Sequence, residues 1–182
     1  MSPQVMDAEE ESTESRAAGT APPALKDVAV VLGVYLAVGL ACGVLWWLLV
    51  DPATFTKLRS GATMDEGQLA RRFDADGWYT VLGAVGGLVT GAVLTWWRSR
   101  DFLLTTVLVS LGSGVAAAVS AWLGHVLGPP DPRAALAAAH VGARVPVALE
   151  VHGWAVYLVW PAATLVGTLV ILWSPPPEIG SD

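Results

Sequence analysis

The chain has 182 residues, of which 54% are hydrophobic and 14% charged, and its formal net charge is −6 at pH 7. A soluble domain of 19 kDa cannot bury so many apolar side chains in one core, so the composition indicates an integral membrane protein with the lipid bilayer as its surroundings. The acidic balance argues against nucleic-acid binding, which requires a basic surface.

Residues 1–27 form an acidic tail rich in Ser, Glu, Ala and Pro. The tail has few large apolar side chains, so burial cannot offset the entropy lost when a chain becomes ordered. We therefore expect a disordered tail here, and a second disordered tail in the Pro-rich residues 174–182.

Four apolar stretches lie between the tails, and each is long enough to cross a bilayer. Their continuous apolar character favours helices over the alternating strands of a barrel. The predicted fold class is all-α integral membrane, with four transmembrane helices. The predicted spans are residues 28–50, 78–97, 102–127 and 154–173.

The lengths of the connections predict the arrangement of these helices. Only residues 98–101 separate the second span from the third, so these two should be antiparallel neighbours, with both longer connections on the opposite side. We predict two antiparallel hairpins joined by a tight turn. Each long connection should contain a short surface helix, one capped at residues 63–66 and one running from Asp131 and Pro132 to His140.

The two hairpins resemble each other at an offset of 76 residues, at which Trp46 matches Trp122 and Gly91 matches Gly167. Two copies with two spans each would cross the membrane in the same direction, which favours a parallel internal repeat. The alternative is that tryptophans recur at the interfaces of any protein with four spans.

The most specific local pattern lies where each hairpin returns to the membrane through an acid, a spacer, a polar residue, Gly and Trp. Tryptophan can anchor its ring at the acyl boundary and glycine permits an unusual turn, which favours interfacial anchoring with helix capping. The functional alternative is a paired acidic site for a cation or an envelope ligand. The residues of this motif are Asp74, Asp76, Gly77 and Trp78 in the first hairpin and Glu150, His152, Gly153 and Trp154 in the second.

The three histidines, His125, His140 and His152, fall on the side of the long connections. Together with Glu150 and Asp131 they offer groups that bind zinc or respond to pH. Their spacing fits no local ligand motif, so we predict ordinary interfacial histidines, no metal site and no cofactor.

Small residues recur at helical spacing inside the spans, in part as GxxxG pairs. In lipid, such residues let helix backbones approach closely. We predict a tight bundle with a further face for self-association or for a membrane-protein partner, and a kink at Pro161. The candidate packing residues are Gly39, Gly43, Gly83, Gly87, Gly91, Gly114 and Gly167, with Ser110 and Ala118 extending the pattern around Gly114.

No charged residue lies at the middle of a span, and no phosphate loop, zinc-protease motif or nucleophile elbow occurs in the sequence. We therefore predict a non-enzymatic protein without catalytic residues. The first hypothesis is an accessory or structural envelope protein that acts through helix association. The alternative is a small permease or channel component for a neutral or lipid-like solute, and a third hypothesis is an envelope sensor that uses the acid and histidine motif.

Two charge signals disagree about the orientation in the membrane. Of the ten basic residues, four lie on the side of the tails and six on the side of the long connections, and this count would place the tails outside. Lys26, Arg98 and Arg100, however, lie directly beside helix ends. We weight these three charges more heavily and predict cytoplasmic tails.

The whole pattern resembles an actinobacterial family of small four-span membrane proteins, domain of unknown function family 2567. The similar features are the order of the spans, Asp51-Pro52 after the first helix, residues 73–78 before the second and the Gly-rich second helix. The resemblance covers about residues 26–173. It implies a plasma-membrane location with cytoplasmic tails, and it brings no activity or catalytic residue.

Overall fold

The computed structural model describes residues 23–97 and 102–174. This part of the chain is mostly helical, and it contains four helical segments long and apolar enough to cross a membrane, as predicted. The remaining parts of both predicted tails and the predicted tight turn at 98–101 lie outside the described residues. The helices are α1 Pro23–Leu49, α2 Glu66–Trp97, α3 Phe102–Leu127, α4 Pro132–Ala138, α5 Trp154–Tyr157 and α6 Val159–Trp173, and the strands are β1 Thr54–Leu58, β2 Gly61–Thr63 and β3 Arg144–Pro146.

Helix α1 begins at Pro23, before the predicted start at Val28, so its first turns belong to the predicted tail. Proline suits the first position of a helix, because the amide hydrogen that it lacks would have no partner there. The described residues before Val31 belong to a separate unit, and the contacts described below all lie within the unit that begins at Val31.

Helix α2 differs from the prediction because it runs from Glu66 to Trp97 without a break. Asp65 caps it, since its Oδ1 atom accepts a hydrogen bond from the Gln68 amide at 2.8 Å. The predicted capping box at 63–66 is therefore replaced by a cap at Asp65. The predicted surface helix is the first part of α2, and the second span is preceded by helix rather than by a loop.

A small antiparallel sheet in the long connections is absent from the prediction, so the chain is not entirely α-helical. Strand β1 pairs with β2 of the same connection and with β3 of the other connection, in the order β2-β1-β3. The threonines and Phe55 of β1 are residue types that favour strands. Gly142, with a φ of 89°, forms the turn before β3 in a conformation that favours glycine. The sheet joins the two long connections.

The predicted cap of the surface helix in the second connection is confirmed. Asp131 accepts a hydrogen bond from the Arg133 amide at 2.9 Å, and Pro132 is the first residue of α4. The helix ends at Ala138, before the predicted end at His140.

The fourth span consists of α5 and α6, which are separated at Leu158. Pro161 cannot donate a backbone hydrogen bond to the carbonyl of Tyr157, and its ring crowds that carbonyl. The Leu158 amide bonds to the carbonyl of Ala155, three residues back, at 3.1 Å. The irregularity predicted at Pro161 therefore lies in the turn that precedes it.

Helices α1 and α3 pack in parallel, because their contacts advance together along both chains. A Cβ atom added to Gly39 would lie 2.9 Å from Ala116 Cα, and one added to Gly43 would lie 2.9 Å from the Ser120 carbonyl oxygen. Such close backbone approach is the arrangement that small residues allow in lipid. The largest fully buried side chains of the core are Trp46, Trp160, Tyr35 and Tyr79.

Candidate functional site

The two parts of the acid and histidine motif meet at their central residues, Asp76 and His152. The His152 amide donates a hydrogen bond to Asp76 Oδ1 at 3.2 Å, and His152 Nδ1 lies 3.6 Å from the same oxygen. Asp76 and His152 are 76 residues apart in the sequence, and we call any two positions with this separation equivalent. The motif therefore contacts its own equivalent position in the other half of the chain.

Arg72 completes this cluster, since its Nε atom donates a hydrogen bond to His152 Nε2 at 2.7 Å. Because arginine only donates, Nε2 has to accept, which assigns a neutral ring with its proton on Nδ1, facing Asp76. These hydrogen bonds hold the segment before α5 against α2. The prediction did not include Arg72, although its position four residues before Asp76 places both on one helix face and could have identified it.

The two outer acids of the motif, Asp74 and Glu150, line different surface depressions. Asp74 lies in one with Arg71 and Trp78. Glu150 lies in another beside His125, whose Nδ1 atom is 3.9 Å from Glu150 Oε1. The structure therefore brings the middle residues of the motif together but not these two acids.

The glycines of the motif do not make the unusual turn that the sequence suggests. Gly77 lies inside α2, and Gly153 caps α5 with φ −114° and ψ 124°, an extended conformation open to any residue. The tryptophans that follow them, Trp78 and Trp154, are 42% and 78% exposed at the loop ends of their spans. Their positions fit rings that lie at the acyl boundary.

The three histidines are not gathered into one site. His125 contacts Leu149 and Glu150, His152 belongs to the cluster with Arg72, and His140 is an exposed residue after α4. Among residues 23–97 and 102–174, no group of three or more His, Cys, Asp or Glu side chains is placed to hold a metal ion.

Helices α2 and α6 also pack in parallel through their glycines. A Cβ atom on Gly91 would clash with the Thr164 carbonyl, and one on Gly167 would clash with the Leu88 carbonyl. Gly91 is equivalent to Gly167, and Leu88 is equivalent to Thr164, so the same contact occurs twice with the roles exchanged. An interface of two identical surfaces related by a two-fold axis has this pattern.

The other candidate packing glycines divide into covered and open positions. Gly83 and Gly87 face Trp160 of α6, at 2.6 and 2.7 Å from an added Cβ. Gly114 has nothing within 4 Å of an added Cβ, whereas its neighbour Gly112, absent from the prediction, faces the ring of Tyr35. The contact predicted at Gly114 is therefore made by Gly112 instead.

Several hydroxyl groups inside the bundle bond to each other or to the backbone, whereas the buried Ser120 Oγ and Trp160 Nε1 atoms have no hydrogen-bond partner among the described residues. Tyr35 donates to Thr164 at 3.4 Å, Thr164 donates to the Gly87 carbonyl at 3.2 Å, and Thr95 bonds to Thr168 at 3.1 Å. A buried hydroxyl needs such a partner, since an unpaired one is costly in a medium of low dielectric. These bonds link α1, α2 and α6.

Trp46 and Trp122 occupy equivalent positions in different surroundings. Trp46 is 0% exposed, its Nε1 atom donates to the Ala75 carbonyl at 2.8 Å, and its ring lies 5.2 Å from that of Tyr79. Trp122 is 60% exposed. The first tryptophan thus belongs to the core, and the second lies on the surface of the bundle.

The residues at equivalent positions differ around the two tryptophans. The ring of Trp46 covers Gly124, where any Cβ would clash with it. The residue equivalent to Gly124 is Leu48, which is itself 63% exposed, and the residue equivalent to Tyr79 is Ala155. The second half therefore has neither the glycine nor the tyrosine that accommodate the ring of Trp46.

A groove of about 390 Å³ opens beside Trp122, between α3 and the start of the fourth span. Small residues, aromatic rings and polar side chains line this groove, and we refer to the end with the polar side chains as its mouth. The main lining residues are Ala118, Ala121, Trp122, His125, Glu150 and Tyr157.

Four helices among the described residues are long and apolar enough to cross a membrane, which is consistent with a helical membrane protein. No protein-family model, curated protein or solved structure matches the chain.

Proposed function

We propose that this chain is a non-enzymatic accessory or structural protein of the plasma membrane that acts through helix association. One observation carries the proposal: the parallel helix pairs make backbone-to-backbone contacts at Gly39, Gly43 and Gly91, and the hydroxyls between them bond to one another. An interior of this kind holds helices together, and the hydroxyls of Thr95, Thr164 and Thr168 form hydrogen bonds between or within these helices.

The contacts also support two antiparallel hairpins related as a parallel repeat. Trp46 bonds to Ala75 and Cys42 to Leu82, so residue numbers fall along α2 as they rise along α1. Equivalent helices, by contrast, run parallel to each other. Two hairpins related by a two-fold axis along the membrane normal would have both properties.

The outer face of α3 is the proposed surface for association with a partner or a second copy. Gly114 is open, Ala118 one turn further is exposed, and most of the other candidate glycines are covered by the chain's own helices. A helix from another protein could approach closely at these two small residues.

A permease or channel component for a neutral or lipid-like solute receives less support. Proteins built from repeats carry their solutes at the interface between the repeats. In the described residues that interface is occupied by Trp160 against Gly83 and by the bond between Thr95 and Thr168.

Crosslinking in native membranes tests the proposed association. A photoactivatable thiol reagent would be attached at Gly114→Cys or, as the control, at Val85→Cys, both in a Cys42→Ser chain. Val85 is an exposed residue of α2 outside the small-residue face. We expect a discrete adduct with a second copy or one partner from position 114 only. Equal adducts from both positions, or none from either, would contradict the proposal.

The proposed cytoplasmic tails are supported by Lys26, Arg98 and Arg100 and by the family resemblance, and they have a direct test. Single cysteines at Ser60, Ser99 and Ala137 would be labelled in intact cells with an impermeant thiol reagent. Ser60 and Ala137 are exposed in the two long connections. We expect labelling at these two positions and none at Ser99. The reverse pattern would place the tails outside.

A further inference from the structure

We propose that the groove beside Trp122 binds a membrane amphiphile that has an apolar chain and a primary ammonium headgroup. The proposal does not depend on helix association. It rests on the shape of the groove, on the chemistry of its mouth and on the contrast with the equivalent region around Trp46.

The shape of the groove suits an extended apolar chain. Its volume of about 390 Å³ falls in the range of small-molecule sites. From Ala118 to His125 it follows α3 for about 10 Å, at about 1.5 Å per residue. Small side chains, Ala118 and Ala121, leave the space, and the rings of Trp122 and Tyr157 flank it. An alkyl chain would gain van der Waals contacts along this surface.

The mouth of the groove offers acceptors and a negative charge. The side chain of Glu150 is 57% exposed, and His125 Nδ1 lies 3.3 Å from the Leu149 carbonyl. A carbonyl only accepts, so His125 Nδ1 donates to it, and the carboxylate oxygens of Glu150 are the charged acceptors of the mouth.

This chemistry selects among headgroups. The residues that line the groove include no lysine or arginine, so a phosphate or carboxylate would find no cationic partner among them. A primary ammonium has three N–H donors and a positive charge, as the lysine side chain has. A quaternary ammonium has no donor. The mouth is therefore complementary to a primary ammonium.

The equivalent region of the first half differs in its lining. Leu49 and Asp74, the residues equivalent to His125 and Glu150, line a smaller depression of about 210 Å³ that also contains Arg71. Trp46, the residue equivalent to Trp122, is buried in the core instead of lining a groove. The groove beside Trp122 thus has an acid and no lysine or arginine in its lining, whereas the equivalent depression has both an acid and an arginine.

Native mass spectrometry of the full chain tests the site. The purified protein would be equilibrated with equal amounts of phosphatidylethanolamine, phosphatidylcholine and phosphatidylglycerol with identical acyl chains. We expect phosphatidylethanolamine to be retained at least about threefold more than either competitor, because its ammonium alone among the three headgroups combines N–H donors with a positive charge. Equal retention of the three lipids, or a preference for phosphatidylglycerol, would overturn the proposal.

Two pairs of variants locate the binding. Glu150→Gln should abolish the headgroup preference, whereas the equivalent change Asp74→Asn should keep it. Ala118→Leu should lower retention of every lipid by filling the groove, whereas Gly114→Leu, one turn away, should not. Circular dichroism and elution volume check folding. If Ala118→Leu does not fold, the exposed Glu150→Gln decides the outcome, and an unchanged preference there would refute the site.

A second chain in the groove is the remaining occupant to distinguish. Disulfide crosslinking of Ala118→Cys in a Cys42→Ser chain would form a dimer in that case, and the phosphatidylethanolamine preference would be absent. That result would overturn the lipid site and support helix association instead. A lipid preference without a dimer would support the lipid site even if the association proposal failed.

Discussion

The region around Trp46 and the region around Trp122 differ although the same residue lies at equivalent positions. In the first region a glycine of the neighbouring helix, Gly124, leaves space for the ring, and Tyr79 packs against it. In the second region the equivalent residues are Leu48 and Ala155, and the ring is exposed. The ring is buried where a glycine and a tyrosine accommodate it, and the second region has neither at the equivalent positions.

A second contrast lies between these outer regions and the interface of α2 with α6. There the contacts of Gly91 and Gly167 match each other with the roles exchanged. Backbone contacts at the centre of a symmetric pair leave little freedom for change, because any added atom meets a carbonyl. The outer regions around Trp46 and Trp122 differ from each other, and the region around Trp122 contains a groove.

Substitution of each tryptophan by alanine should give the largest difference in stability between the two regions. Trp46→Ala would leave a cavity in the core and remove the hydrogen bond to the Ala75 carbonyl, so we expect the free energy of unfolding to fall by about 3–5 kcal/mol. Trp122→Ala should change it by about 1 kcal/mol or less. Unfolding by SDS titration measures both values. Similar losses would contradict the assigned environments.

The next largest effect should come from the central interface. Gly91→Ala or Gly167→Ala would force α2 and α6 apart, because the new methyl group would clash with a backbone carbonyl. We expect a loss of about 3 kcal/mol for each. Gly114→Ala is the control, and it should be neutral or stabilise the helix by up to about 1 kcal/mol. The same SDS titration ranks the three variants, and a loss at position 114 as large as at 91 would count against this packing.

Adding one methyl group at Gly124 should make the first region more like the second. Gly124→Ala would displace the ring of Trp46, with a loss of about 2 kcal/mol. The reciprocal change, Leu48→Ala, should have little effect on stability. Quenching of tryptophan fluorescence by acrylamide and by brominated lipid would report the displaced ring. An unchanged spectrum for Gly124→Ala would show that the ring does not depend on that space.

The smallest effect should come from the cluster that joins the equivalent residues Asp76 and His152. Arg72→Met and His152→Gln should each lower stability by about 1 kcal/mol or less, because the hydrogen bond between them is exposed. A double-mutant cycle checks their coupling. Additive effects would show that the bond contributes nothing measurable. Coupling of similar size to the single effects would confirm it.

The apolar stretches predicted four membrane-spanning helices because hydropathy over about twenty residues is a strong signal. The loop regions were harder to predict. Strand β1 pairs with β3 across a long distance in sequence, and no local pattern reveals such a partner. Helix α2 was predicted to start at the membrane, since Gly77 was interpreted as a turn, yet nothing in the structure requires glycine there.

The candidate site was predictable only in part. The recurring motif identified Asp76 and His152, which do meet, but spacing alone did not show that Asp74 and Glu150 lie in different depressions. The groove was not predictable, because it results from the small side chains of Ala118 and Ala121. The volume of a groove depends on the residues of the neighbouring helices, and a single sequence does not show which residues those are.

The sheet that joins the two long connections has a consequence for the integrity of the fold. Its hydrogen bonds between β1 and β3 add a link outside the membrane-spanning helices between residues on either side of the segment 98–101. A chain severed within that segment would keep its two fragments held by this sheet, by the α1 and α3 pair and by the α2 and α6 pair. The two fragments should therefore assemble into the same bundle when they are synthesised as separate polypeptides.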